Sequence, residues 1–299
     1  INQEKMAKSR QRQYPVIKKY RDQIENKYQW CIAAVPGEVW AKKLFPQLRK
    51  SQAVEKLWEA ILSTSRALEG DPVANWEAHN KDMQDRCAYL NGLHIRELRY
   101  KSANGTDFQV GMIPEAQFCG GCEKSLQGIV FNPNIPTEEC FISPMRGKAE
   151  GIVYATKPLS YQGQLIEDFW IRFREGKAVE WHADKNNELL TKLITMDEGS
   201  AYLGECALVP YDSPICQSGL LFYNTLFDEN AACHLALGMG FADTIRGFEE
   251  KTLEECRALG VNDSMIHEDF MIGSADMCID AVCEDGRTVP IFRDGSWAF

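Results

Sequence analysis

Leu226-Phe-Asp-Glu-Asn-Ala-Ala-Cys-His-Leu-Ala-Leu-Gly238 sets an acid, Glu229, five residues ahead of a histidine, His234, in a run that is otherwise mostly small and apolar. Asp228 and Asn230 are good N-cap residues, and Ala231 to Leu237 is an apolar segment that ends at a glycine. The run therefore reads as the start of a buried helix. A buried imidazole needs a partner, because a polar group left without one costs about 1–3 kcal/mol. Taken alone, His234 reads as a core histidine satisfied by a neighbouring acid. Three other stretches place acids in similar surroundings, and each offers metal-ligand chemistry.

Asn134-Ile-Pro-Thr-Glu-Glu-Cys-Phe141 carries adjacent carboxylates, Glu138 and Glu139. Tyr202-Leu-Gly-Glu-Cys-Ala-Leu-Val-Pro210 is a strand-like apolar run with one acid, Glu205, in its middle. A charge there needs a partner, since an isolated buried carboxylate would sooner neutralise than stay ionised. Met265-Ile-His-Glu-Asp-Phe-Met-Ile-Gly273 reads as a strand. Side chains two apart on a strand share a face, so His267 and Asp269 point one way while Ile266, Phe270 and Ile272 point towards a core. Together these stretches supply Glu139, Glu205, Glu229, His234, His267 and Asp269. Carboxylates with two imidazoles suit one or two borderline divalent ions such as zinc, cobalt or manganese.

The four blocks resemble those of the thermophilic-type metalloaminopeptidases, the family of aminopeptidase T, aminopeptidase S and PepS. The matching words are Asn134–Pro144, Leu203–Pro210, Leu226–Gly238 and His267–Gly273. A thinner match runs upstream through Trp76–His79, Leu90–Leu93 and Gly105–Asp107, and downstream to Asp294–Ala298. The resemblance implies an α+β chain. Residues 93–299 would form the metal-binding catalytic domain, with a mixed, largely antiparallel sheet. Residues 1–92 would be the remainder of an α/β N-terminal domain whose first part is absent. It implies a cytoplasmic homodimer that hydrolyses the N-terminal residue from short peptides. It also implies two divalent ions: zinc, cobalt, or magnesium or manganese.

By the same resemblance Glu139 is a ligand and Glu205 the bridging carboxylate, with Glu229, His234, His267 and Asp269 completing two coordination shells. Which residue serves which ion does not follow from the sequence. Two ions about 3.5–4 Å apart lower the pKa of a shared water towards about 7 and polarise a scissile carbonyl. A free coordination position would take the substrate's α-amine. Peptide hydrolysis also needs a group that moves a proton from water to the leaving amine. Glu138, beside a ligand and not needed as one, is the candidate; its alternative role is that of a surface acid or of one that supports a ligand. One departure stands out. Seven residues after the histidine the family usually has a tyrosine able to stabilise the tetrahedral intermediate, and here Phe241 occupies that place. Either the hydroxyl is dispensable, another residue such as Tyr223 supplies it, or the protein is slow or altered in substrate. A member that binds metal or peptide without turnover is therefore the alternative reading.

The composition fits this picture. A chain of 299 residues, 44% hydrophobic and 25% charged, is long enough for one large or two medium globular domains. A net charge of −10 argues against a nucleic-acid or anionic-membrane partner. No apolar run approaches the roughly 20 residues of a membrane helix, and the first ten residues lack the apolar core of a signal peptide. The 11 cysteines, an odd number scattered through apolar segments, read as small core residues of a reducing compartment. Cys119-Gly-Gly-Cys122 could be a redox dithiol or half of a zinc site, but no second such pair and no βαβ pattern accompany it. His182 reads as structural, and His79 and His94 are not expected to be ligands.

Along the chain, Pro15–Lys27 is expected to be helical. Cys31–Val35 should be a short buried strand closed by Pro36-Gly37. Glu38–Phe45, Ser51–Leu68 and Asp71–Leu90 should be helices. From Leu93 the period changes to two. Ile95–Tyr100 and Asp107–Met112 should form a hairpin about Asn104-Gly105. Strands at Gly151–Thr156, Gln164–Phe173 and Ala178–His182 should follow, then a helix over Asn186–Thr195. After the site blocks come a helix at Thr252–Leu259 and a last hairpin, Met277–Cys283 with Val289–Phe292.

Overall fold

A computed structural model describes residues 3–24 and 27–299. The fold is α+β, and two sheets dominate it. The smaller has four strands in the order His267–Met271, His234–Gly238, Leu203–Leu208, Cys140–Ile142, all antiparallel. The larger has nine. From one edge its main path runs Lys177–Lys185, Gln164–Arg174, Pro144–Tyr154, Asp107–Met112, Ile95–Lys101, Cys278–Cys283, Thr288–Arg293, Ser296–Trp297, and Leu159–Tyr161 also pairs with Gln164–Arg174. The Asn104-Gly105 hairpin forms as expected, with Lys101 opposite Asp107 and Gly105 at φ +104°. A side chain strains that backbone and glycine does not. The only parallel pairing among the described residues joins Ile32–Ala33 to Asn134–Ile135.

The two sheets meet in one core. Cys140, Ile142, Cys206, Leu208, Leu235, Leu237 and Phe270 come from the small sheet, and Tyr100, Phe108, Val153, Phe169, Phe173 and Ile279 from the large one. The helix Pro72–Gly92 is capped by Asp71, whose carboxylate accepts from the backbone amides of Val73 and Ala74. It adds Met83, Cys87 and Leu90 to the same core, so packing is continuous across residue 92. A second cluster joins Ala41, Phe45, Leu57 and Ile61 to Ile215, Phe222, Leu226 and Phe227. The helices Glu38–Leu44 and Lys50–Thr64 thus brace the segment that leads into Glu229.

Three expectations are corrected. The run Ala231–Leu237 is not helical. A single helical turn, Thr225–Asp228, passes through a 3-10 turn, Glu229–Ala231, and His234–Gly238 is a strand in the middle of the small sheet. A run buried on both faces has no periodicity to separate strand from helix, and here two flanking strands satisfy its backbone. The expected caps also act elsewhere. Asn224 caps the turn, while Asp228 accepts from the amides of Phe222 (2.7 Å) and Asn224 (3.0 Å). Gly238 ends a strand rather than a helix: it has φ +102°, and a Cβ there would lie 2.1 Å from the Ile266 carbonyl oxygen. Second, the Cys31–Val35 strand is reduced to Ile32–Ala33, which is exposed rather than buried. Third, the N-terminal helix is Gln3–Ile24 with Pro15 inside it; the expected helix over Pro15–Lys27 includes residues 25 and 26, which lie outside the described residues.

Candidate metal centre

The register of the small sheet gathers the site. Glu205 sits opposite Ala236, and Ala236 opposite Asp269. In the next row Ala207, His234 and Met271 are aligned, and beyond the first row Gly238 faces His267. Opposed residues share a face, as do residues two apart. One face therefore carries Glu205, His234, His267 and Asp269, separated by the small residues Ala207, Ala236 and Gly238. Phe141 opposes Ala207 and belongs to this face. Glu139, two residues earlier, extends it past the strand end. The other face, apart from Glu268 opposite Leu237, is apolar and packs into the core.

Two groupings result. Glu139, Glu205 and His234 present ligand-type atoms within 4.8 Å of one another, and so do Glu205, His267 and Asp269. Glu205 belongs to both. His234 Nε2 lies 3.1 Å from Glu139 Oε2. His267 Nε2 lies 3.1 Å from Glu205 Oε2 and 3.3 Å from Asp269 Oδ1. Each imidazole is oriented from its other nitrogen: His234 Nδ1 donates to the Ala232 carbonyl (3.2 Å) and His267 Nδ1 to that of Met239 (2.7 Å). That leaves both Nε2 atoms facing carboxylates.

Glu229 joins the cluster electrostatically but falls outside both groupings. Burial, then the charges of Asp269, Glu139 and Glu205, hold its pKa well above the usual carboxylate range. Burial likewise lifts Glu205 to about 7, although His267 pulls the other way. Burial would lower His234, but the Glu139 carboxylate beside it, with Asp269 and Glu205, raises it to about 9. Burial also opposes the charged form of His267, and Asp269 and Glu205 nonetheless push that histidine well up. Asp269 is lowered: burial raises it, but the His267 charge and contact outweigh that.

The residues fit a metal. Burial and the crowding of Glu139, Glu205, Glu229 and Asp269 push Glu205 and Glu229 towards their neutral forms, and a cation among them would relieve that repulsion. His234 Nε2 and Asp269 Oδ1 are buried and make no hydrogen bond, although each has an opposite partner within 3.3 Å. Once His234 sheds its proton, that nitrogen and the carboxylate oxygens converge as donors for a shared cation. The donor set is oxygen and imidazole nitrogen, suited to borderline divalent ions.

The remaining candidates are placed as follows. Glu138 is 3% exposed, and both of its oxygens are engaged by the Arg66 guanidinium, Nη2 to Oε2 at 2.8 Å. Its backbone amide donates to Asn230 Oδ1 at 2.7 Å, and Asn230 Nδ2 donates to Leu226 O at 3.0 Å and reaches Glu229 Oε1 at 3.5 Å. Asn230 thereby ties the Glu138–Glu139 segment to Glu229. Sequence reasoning missed Arg66 entirely and took Asn230 for a cap. Nothing near Arg66 in the sequence signals its partner, whereas the position of Asn230 beside Glu229 was a usable hint. The Phe241 ring lies 4.6 Å from that of His267. Tyr223 packs under Lys43, with Nζ 3.7 Å from the ring centre.

His79 Nε2 meets the Thr137 carbonyl at 2.8 Å, and burial lowers its pKa, a structural role. His182 pairs with Asp184 at 3.0 Å on the surface. All 11 cysteines are free, and among the described residues neither metal grouping contains one. Burial, then Asp243, Cys87 and Glu123, push the Cys119 thiol far up, away from the thiolate that metal or redox chemistry needs. Among the described residues no helix is long and apolar enough to cross a membrane.

The chain is similar to several named aminopeptidases. Aminopeptidase 2 of Geobacillus stearothermophilus is 46% identical over 270 residues, covering 90% of this chain and 65% of that protein. Aminopeptidase AmpS of Bacillus subtilis is 43% identical over 281 residues, covering 94% and 68%. The structure of wild-type AmpT from Thermus thermophilus matches with a TM-score of 0.84 at 41% identity, covering 94% of this chain and 68% of that one. The chain thus spans about two thirds of the length of these relatives. The model of the thermophilic metalloprotease (M29) family matches residues 1–297, and the chain belongs to that family.

Proposed function

We propose that this protein is a metallo-aminopeptidase that removes the N-terminal residue from short peptides at a centre holding two divalent ions. The observation that carries the reading is the sharing of Glu205 between two ligand groupings on one sheet face. In this reading Glu139, Glu205, Glu229, His234, His267 and Asp269 would hold the two ions, with Glu205 common to both groupings. When bound, the ions supply Lewis acidity and an activated water. The chain's own residues do the rest. The carbonyls of Ala232 and Met239 fix the two imidazoles so that each Nε2 faces the carboxylates, where it would serve as a ligand. Glu138 carries the proton from water to the leaving amine, and Arg66 orients it. Zinc, cobalt, manganese or magnesium would occupy the centre, and a homodimer in the cytoplasm is the assembly and place that the family likeness suggests.

Cobalt(II) titration with metal counting tests the centre. Two ions per chain with weak d–d bands, and cleavage of leucyl peptides but not of N-acetylated ones, are expected. An intense sulfur-to-metal band would overturn it. Phe241 favours a second reading, a member that binds metal and peptide without turnover, because its ring has no hydroxyl to offer a tetrahedral oxyanion. Two bound ions with no cleavage of any free-amine peptide would establish that alternative.

A further inference from the structure

The four strands of the small sheet are buried along nearly their whole length, and Phe141 is the apolar exception. It is half-buried, on the same face as Glu205 and opposite Ala207. The Phe241 ring, also half-buried, meets Phe141 edge-to-face with centroids 5.7 Å apart and lies 4.6 Å from the His267 ring. The Cys140–Ile142 and His267–Met271 strands form opposite edges of the sheet. The two phenylalanines therefore span the carboxylate–imidazole cluster from one edge to the other. An apolar wall beside a few convergent polar groups is what a small-ligand site is made of. Leaving two large rings part-exposed there costs hydrophobic free energy that an apolar ligand would recover.

We propose that Phe141 and Phe241 form the wall that receives the side chain of the substrate's first residue, so that bulky aliphatic or aromatic N-terminal residues are selected over alanine or lysine. This inference rests on the aminopeptidase reading and names its substrate class. Phe241 acts here through its ring, so Phe241→Tyr keeps the wall and Phe241→Ala removes it. In apolar pockets one methylene discriminates by about 10–200-fold, so leucine should be preferred to alanine by at least about tenfold.

The experiment titrates the hydroxamates of L-leucine, L-alanine and L-lysine into cobalt-loaded protein, reading affinity from the visible d–d bands, alongside kcat/KM for leucyl, alanyl and lysyl peptides. The leucine-to-alanine ratio should be tenfold or more in the parent. It should collapse towards one in Phe141→Ala and Phe241→Ala and survive in Phe241→Tyr. Phe141→Leu, which keeps apolar bulk, should retain part of it and guards against a folding defect in Phe141→Ala. An unchanged ratio in both alanine variants, or a parent that prefers alanine or lysine, overturns the wall. Selective binding without cleavage would sink the peptidase reading and leave the wall standing. Cleavage without selectivity would do the reverse, and a loaded protein that binds none of the probes would remove both.

Discussion

Glu205 Oε2 lies 3.1 Å from His267 Nε2 although their strands are not neighbours: the His234–Gly238 strand runs between them, with Ala236 opposite Glu205 and Gly238 opposite His267. The contact exists because neither of those residues carries more than a methyl group. Ala236→Leu should therefore disrupt the site without touching any proposed ligand. Forcing bulk into a packed row costs about 1–3 kcal/mol, and the added atoms would occupy the space between Glu205 and Asp269. Metal counting should show fewer than two ions per chain in a protein that still folds. Full loading in Ala236→Leu would mean that the groups converge elsewhere.

Glu205→Gln should be more damaging than loss of any other single proposed ligand. The change removes the one charge common to both groupings. Losing a partner that merely supports a ligand costs about 10–100-fold in metal affinity, and losing the shared carboxylate should exceed that for both ions together. Metal content and turnover should fall in parallel. Loss of one ion with the other retained at parent affinity would show that Glu205 serves only one.

Metal binding should be steeply dependent on pH. In the metal-free protein His234 holds a proton up to about pH 9, and Glu205 up to about pH 7. Ligands must shed those protons to bind, so apparent affinity should rise with pH to about 9, most steeply below 7. Zinc added to weakly buffered protein at pH 6.5 should release protons, and far fewer should appear above pH 9. The metal-free fold carries the opposite sign. A histidine raised in the folded state contributes stability that is fully present below its unfolded value of about 6.5 and is lost as pH rises through the folded value. Thermal stability without metal should thus decline between roughly pH 6.5 and 9 on account of His234, and metal should abolish that decline.

Much of the site was legible because chemistry marks it. Acids and imidazoles inside apolar runs at Glu205, His234 and His267 are costly to bury, and the structure brings these three onto one face. The alternation of His267 and Asp269 against Phe270 and Ile272 placed that strand correctly. The conformation around His234 was not legible, because Ala231–Leu237 is buried on every side and its partners lie far away in sequence. Pairings set by tertiary contact left little local trace beyond the position of Asn230 beside Glu229. Arg66 meets Glu138 across 72 residues, and Asn230 reaches Glu138 across 92.

Arg66→Ala should destabilise the protein by about 3–5 kcal/mol, the usual cost of leaving a buried charge without its partner. Glu138 is 3% exposed and Arg66 is its bidentate counter-ion. Glu138→Gln in the same background should recover part of the loss, since it removes the orphaned charge. Denaturant midpoints of the two variants settle this. The same Glu138→Gln change alone addresses chemistry: both ions should remain while turnover falls by about 10²–10⁴, the usual worth of a positioned proton carrier. Near-normal turnover with both ions bound would remove Glu138 from that role.

Phe241→Tyr should increase turnover. The Phe241 ring packs at 4.6 Å on His267, so a para-hydroxyl added to it should fall close to the carboxylate–imidazole cluster. Removing one oxyanion donor costs about 10²–10³ in turnover, and adding one where none exists should recover a sizeable part of that factor. The gain should appear in kcat rather than KM, because the hydroxyl would act on charge that develops only in the transition state. Metal stoichiometry should not change, since no ligand is altered. A Phe241→Tyr variant with parent kcat would mean that the hydroxyl is either misplaced or unneeded, and a lower kcat would mean that the bare ring is what this site requires.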